Sequence, residues 1–201
     1  MRIIAGSERG RTLAAPKGDG TRPTTDRVRE SLMSAIASVR GGFDGAVVLD
    51  AFAGSGALAC EALSRGAAFA CLCEQAGGAL KVIQKNVDTL GYGDGRARVV
   101  RGDVLRGSVP RPPANVVGGA AAYDLVFLDP PYALSADTVY GFMTSLDERG
   151  LLRESTVISY EHDAADNDRA DAAFSATLAS RGFELSSRRA YGSTVIDILT
   201  R

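Results

Sequence analysis

The chain has 201 residues, 45% of them hydrophobic, with 23 Lys and Arg against 24 Asp and Glu for a net charge of −1. That length suits one compact domain with a small appendage, and the balanced charge excludes a general attraction for nucleic acid, leaving only a local patch to do such binding. No apolar run of about 18 residues could cross a membrane and the start, Met1-Arg2-Ile3-Ile4-Ala5-Gly6, has too short an apolar core for a signal peptide, so a cytoplasmic location is expected.

Residues 1–22 carry a cationic excess, with Arg2, Arg9, Arg11, Lys17 and Arg22 set against Glu8 and Asp19. Two short extended runs, 2–5 and 11–14, flank Glu8-Arg9-Gly10 and read as a hairpin projecting from the domain. Charge alone leaves two readings open, a solvated edge hairpin or an arm that contacts phosphates. Pro23 then fixes an extended entry, Thr24 or Thr25 is placed to cap a helix, and Asp26 suits its first turn. Val28, Leu32, Ala35, Ile36 and Val39 fall on one face of that helix. Arg22 and Thr24 have no evident structural duty and are candidates for the site, while Arg27 joins the basic side chains that could meet nucleic acid. Gly41-Gly42 stops the helix and divides the chain into an extension, 1–42, and a main domain, 43–201.

Residues 47–59 read as a buried strand, a glycine turn and a helix start. Asp50 closes the strand, Ala51 and Phe52 lead into the turn, and Gly54 and Gly56 let the backbone bend and approach a ligand. Gly54-Ser55-Gly56-Ala57-Leu58-Ala59 satisfies the dinucleotide pattern, and Glu74 stands about 20 residues on. Asp50 argues the other way: a carboxylate there repels a pyrophosphate but attracts the ammonium and sulfonium of S-adenosylmethionine. The spacing D-x-x-x-G-x-G resembles the first motif of class I methyltransferases.

From Val47 onward strands and helices alternate, the pattern of a parallel sheet with right-handed crossovers. Strands are predicted at 69–74, 97–101, 123–128 and 156–160, helices at 76–90 and 136–148, and a terminal hairpin pairs 183–191 with 194–200. The stretch 110–122 reads as a loop insertion, and the Asp- and Ala-rich segment 163–173 has no assigned element. Asp50, Glu74, Asp103 and Asp129 all fall at strand carboxyl ends, where open parallel sheets bind ligands. Glu74 could accept from ribose hydroxyls and Asp103 from an adenine amino group. Cys60, Cys71 and Cys73 lack the spacing of a disulfide framework or zinc site, and no metal is expected.

Asp129-Pro130-Pro131-Tyr132 is the strongest chemical signal. Two prolines after a strand stiffen the backbone and leave carbonyl groups unpaired. The exocyclic amine of a base is a poor nucleophile because its lone pair is delocalised; acceptors on Asp129 and Pro130 could hold its hydrogens and orient it. Tyr132 would stack on the flipped base. His162, the one histidine, is read as a surface-loop residue in preference to a general base.

Taken together, Met1–Gly6, the run 21–30, Gly54-Ser55-Gly56-Ala57-Leu58, Glu61-Ala62-Leu63-Ser64-Arg65-Gly66-Ala67, Asp129-Pro130-Pro131-Tyr132 and Tyr191-Gly192 resemble the RsmD family of bacterial 16S rRNA guanine-N2 methyltransferases. The resemblance implies an α/β class I, Rossmann-like fold: seven mostly parallel strands, helices on both faces, and an N-terminal β-hairpin and helix. It implies S-adenosylmethionine as donor and a guanine of 16S rRNA, in the small ribosomal subunit or its assembly intermediate, as acceptor; a monomer is expected, although no motif in the chain dictates the oligomeric state. Asp129, Pro130, Pro131 and Tyr132 would then be catalytic. Asp50, Ala51, Phe52, Gly54, Gly56, Glu74, Asp103, Arg22 and Thr24 would hold the donor, and Arg9, Arg11, Lys17, Arg22 and Arg27 the RNA. DNA adenine-N6 methylation, a non-catalytic assembly factor and NAD-dependent oxidoreduction are the rivals. The acidic 163–171 stretch would weaken RNA binding and is placed away from that face.

Overall fold

The computed structural model of the chain describes residues 1–16, 25–93, 95–116 and 121–201; Lys17, Arg22, Pro23 and Thr24 lie outside the described residues. The first helix, α1 (Asp26–Arg40), is capped by the Thr25 hydroxyl, which accepts from the Val28 N–H, and ends at Gly41 with φ 84°. Next come β1 (Val47–Asp50), α2 (Ala57–Ser64), β2 (Phe69–Glu74), α3 (Gly77–Leu90) and β3 (Ala97–Arg101). After them follow β4 (Tyr123–Leu128), α4 (Ala136–Glu148), β5 (Leu152–Asp163), α5 (Asn167–Thr177), β6 (Glu184–Tyr191) and β7 (Thr194–Thr200).

The strands form one seven-stranded sheet in the order β3-β2-β1-β4-β5-β7-β6. The first five run parallel, and β7 joins antiparallel to both β5 and β6. β1 and β4 are almost wholly apolar because helices cover both faces, as a parallel sheet requires. Alternate strand residues feed two cores. Val48, Leu72, Leu125 and Phe127 pack with α1, α2 and α3. Leu49, Cys73, Val126 and Leu128 pack with α4 and α5. Strand order reverses between β1 and β4, where such sheets bind their ligands.

Three features differ from the sequence reading. The arm 1–13 does not project: one antiparallel bridge, Arg2 to Thr12, closes it, and Ile3 and Leu13 are buried in the core of α1, α2 and α3. A Cβ on Gly6 would stand 1.9 Å from the Ser64 carbonyl oxygen, so only glycine lets the arm lie this close to α2. Residues 167–177, left unassigned above, form α5, whose Ala170 and Ala173 are buried beside α4; the surplus of Asp hid a helix that alanine favours. Finally, β5 extends to Asp163, because antiparallel pairing with β7 continues past the end of β4.

Candidate active site

The glycine turn is tied to the strand ends on either side of it. Ala51 N–H donates to the Phe127 carbonyl at 3.1 Å and Ala53 N–H to the Cys73 carbonyl at 3.0 Å. Glu74 completes the tie, its Oε2 accepting from Gly54 N–H at 2.9 Å and its Oε1 from the N–H groups of Gln75 and Ala76, both at 2.8 Å. Gly56 caps α2 with φ 77°, and a Cβ there would meet Leu72 at 2.9 Å. Gly56 offers no side chain to cap this helix, and of its first-turn N–H groups that of Ala59 is met by Asp50 from the strand end.

Strand alternation aims four carboxylates to one side. Asp50, Glu74, Asp129 and Glu161 each continue the register of residues packed with α1, α2 and α3, or lie one step beyond it. Asp50 is 1% exposed; its Oδ2 accepts from Ala59 N–H at 3.3 Å, whereas its Oδ1 is buried with no partner. Burial pushes its carboxyl up to about 7, the Ala59 bond draws it back, and Asp129 and Glu74 raise it further. Burial likewise pushes Asp129 up to about 6. Glu161 rises to about 8 through burial and the nearby Asp129, against a lowering hydrogen bond from Tyr132.

Among the described residues no ion pair joins Asp50, Asp129 or Glu161 to a cation, and the neighbouring charges that raise Asp50 and Glu161 are carboxylates. Buried like charges without a counter-ion favour a positively charged ligand. The orphan Oδ1 of Asp50, beside a turn that only glycine can line so closely, is where such a ligand fits. Asp103 is placed differently: it caps the short 3-10 turn Val104–Arg106, its Oδ1 accepting from Leu105 N–H at 3.0 Å and its Oδ2 facing Arg106 at 3.4 Å.

Past β4, Pro130 is buried while Pro131 and Tyr132 are exposed, Tyr132 at 47%. The Tyr132 hydroxyl donates to Glu161 Oε1 at 3.3 Å and lies 3.3 Å from the Thr194 hydroxyl, so the ring is held upright by β5 and β7. Pro130, Pro131, Tyr132, Tyr160 and Glu161 line a shallow depression there together with Asp163 and Asp166, so the acidic 163–171 stretch begins beside this segment and not away from it, because β5 carries the chain along the rim to Asp163. Glu161 is not among the four strand-end acids; it follows Tyr160, the last residue of β5 paired with β4, and so stands at the same rim as Asp129 although β5 itself runs on to Asp163.

His162 is not in a surface loop. It is buried in β5, stacked on Tyr160 with ring centroids 4.9 Å apart, its Nε2 is 3.2 Å from Asp197 Oδ2, and its Nδ1 is 3.0 Å from the Asp163 carbonyl. Burial opposes the charge of Asp197, but hydrogen bonds from Arg188 and His162 hold its carboxyl below the usual range. This network joins β5, β6 and β7, which accounts for the histidine without a catalytic role.

Of the cationic candidates, Arg9 and Arg27 are exposed. Arg11 is engaged, pairing with Glu8 at 2.7 Å and donating to the Thr89 carbonyl. Asn86 on α3 was not singled out from the sequence. Its Oδ1 accepts from Ala14 N–H at 2.8 Å, and its Nδ2 donates to the Ala14 and Ser55 carbonyls at 3.0 and 2.9 Å, joining the arm to the glycine turn.

Residues 1–199 match the family described as Conserved hypothetical protein 95. Ribosomal RNA small subunit methyltransferase D of Escherichia coli (strain K12) is 39% identical over 163 residues, covering 80% of this chain and 74% of that one. YlbH of Bacillus subtilis (strain 168) is 38% identical over 167 residues, 81% of this chain and 83% of its own. The solved structure of yhhF from Escherichia coli superposes with a TM-score of 0.76 at 32% identity, covering 100% of this chain and 97% of that one.

Proposed function

The chain belongs to the Conserved hypothetical protein 95 family, RsmD-like methyltransferases of the class I fold, and on that premise we propose that it transfers a methyl group from S-adenosylmethionine to the exocyclic N2 amine of one guanine in 16S rRNA of the small ribosomal subunit. The observation that carries this reading is the pairing of Asp50, with its unpartnered Oδ1, and the D-P-P-Y segment on adjacent strands at the switch point. The relative named for small-subunit rRNA supports the choice of substrate. When bound, the donor supplies an electrophilic methyl group on a sulfonium.

The protein's part is to bind and to aim. Asp50 attracts the cationic end of the donor, and the turn Ala51 to Gly56 with Glu74 and the 103–106 segment forms the rest of its seat. Asp129 and the Pro130 carbonyl accept the amine hydrogens, and Tyr132 stacks on the base. Water takes the proton that the methylated amine releases. Arg9 and Arg27 meet the RNA backbone with Lys17 and Arg22, and Arg22 and Thr24 are proposed to reach the donor. The arm and α1 act as the substrate-facing extension of the domain.

The decisive experiment compares rRNA from a strain with and without the gene by mass spectrometry. N2-methylguanine present only with the gene is the expected result. N6-methyladenine in DNA instead would favour the adenine reading, and no modified base at all would leave an assembly factor.

Donor binding carries its own pH signature. The unfolded chain releases the Asp50 proton near 3.8 and the folded protein at about 7, so the protein alone loses stability as pH rises through that window. A cation beside Oδ1 favours the ionised form, so donor affinity measured by calorimetry should climb as pH rises toward 7. Asp50→Asn should weaken binding by about tenfold or more at pH 7.5 and flatten this climb. An unaltered climb in that variant would remove Asp50 from the donor site.

A further inference from the structure

Guanine and adenine differ at ring position N1, which carries a hydrogen in guanine and a bare lone pair in adenine. A site that methylates N2 of guanine must reach the neighbouring N1, and Asp129 with the Pro130 carbonyl is already committed to the amine. The next strand supplies another acceptor. Leu128 of β4 pairs with Tyr160 of β5, so Asp129 and Glu161 follow them side by side, about one strand spacing of ~4.8 Å apart along the rim. Both leave the same side of the sheet, and Asp129 raises the carboxyl of Glu161 through space.

Glu161 is also held still. Its Oε1 takes the Tyr132 hydroxyl at 3.3 Å, and that hydroxyl is in turn 3.3 Å from Thr194. Among the described residues its Oε2 has no hydrogen-bond partner, and Glu161 lines the depression that Pro130, Pro131 and Tyr132 share with Asp163 and Asp166. Burial and Asp129 hold this carboxyl up to about 8, and a guanine N1–H donating to it favours the ionised form; a carboxylate fixed beside a stacking tyrosine, with one oxygen unclaimed, is then a reader of a donor on the edge of a base, most sharply above pH 8. Resting on the guanine-N2 reading above, we propose that Glu161 is the specificity-determining residue of this site, accepting the N1–H of the target guanine through Oε2 and excluding adenine, whose N1 lone pair would face a lone pair.

The same carboxylate couples recognition to placement. Because the Tyr132 hydroxyl hangs on Glu161, the ring is set before the base arrives, and less ordering is left for the bound state. An amide at this position would keep the size of the side chain and the bond to Tyr132, but it could turn an N–H toward the base.

The test uses small subunits assembled with 2-aminopurine at the methylated position; that base keeps the N2 amine and has no hydrogen on N1. Wild-type protein should lose at least about tenfold in kcat/KM against the guanine substrate. Glu161→Gln, able to donate to a bare N1, should narrow the preference for guanine by at least about tenfold. Loss of the O6 group in 2-aminopurine affects both proteins alike, so the change in preference isolates N1. Glu161→Asp, which keeps a carboxylate but draws it back, should raise KM and retain the preference. A preference unchanged in Glu161→Gln, with guanine still methylated at N2 by the wild type, overturns the assignment alone. Failure of the wild type to form N2-methylguanine overturns the underlying reading and the assignment with it.

Discussion

Asp129→Ala is expected to lower kcat on small subunits by about a hundred- to a thousandfold, the range seen when one preorganised group at a reacting centre is removed. Donor affinity should stay within a few-fold of wild type, because the carboxylate that faces the donor's charge is Asp50 and not Asp129. The reason for so large an effect is that an aryl amine offers its lone pair only when its hydrogens are held out of competing orientations, and positioning is most of what the protein contributes. Asp129→Asn keeps one acceptor and should fall in between. Burial pushes the Asp129 carboxyl up to about 6, and only its ionised form accepts both without donating. With donor saturating, kcat in the wild type should therefore drop as pH falls through about 6, and the Asn variant should lose that limb. Near-wild-type turnover in Asp129→Ala with the donor still bound would remove the amine-orienting role.

The reason Asp129 could be chosen from the sequence is that parallel strands announce their own ends. An apolar run such as 125–128 must be covered on both faces, and the first charged residue after it, Asp129, must sit at the rim. The same logic picked Asp50 and Glu74. It stopped short at Glu161 because β5 outlasts its parallel partner: it pairs with β4 up to Tyr160 and with β7 from Val157 to Asp163, so the strand continues past the rim set by β4. His162 was misplaced for the same reason. The arm shows a different kind of limit. Ile3 and Leu13 look like the apolar side of any hairpin, and nothing in 1–14 names the partner that buries them. That partner is written 50 residues later, in Glu61 and Ser64, as polar residues on a helix whose other positions are apolar. A buried acid on such a helix signals a distant donor but not which one, and only the fold identifies the N–H groups of Ile4 and Ala5.

Glu61→Ala should be the most damaging substitution away from the catalytic rim. Glu61 is fully buried; its Oε2 accepts from Ile4 N–H at 2.9 Å, and its Oε1 accepts from Ala5 N–H at 3.0 Å and pairs with Arg65 at 2.8 Å. Removing it strands two backbone donors and a guanidinium that is mostly out of water, and breaking a buried pair from one side costs about 3–5 kcal/mol. The arm has an alternative to staying docked. Burying Ile3 and Leu13 returns only about 1.5–3 kcal/mol each, so the loss at Glu61 is comparable with what holds the arm down. Ser64 still accepts from Glu8 N–H at 3.0 Å and donates to the Ala5 carbonyl at 2.6 Å, and Arg29 still donates to the Arg2 carbonyl, which keeps part of the anchor. The expected result is thus a lower urea midpoint together with new tryptic cleavage after Arg9 or Arg11 under native conditions, as the arm opens ahead of the sheet. Glu61→Gln, which keeps one strong acceptor and loses the ion pair, should lose about half as much stability. A midpoint shift worth less than about 1 kcal/mol in Glu61→Ala, with the arm still resistant to trypsin, would mean that apolar contacts alone dock the arm on α2 and that Glu61 does not hold it.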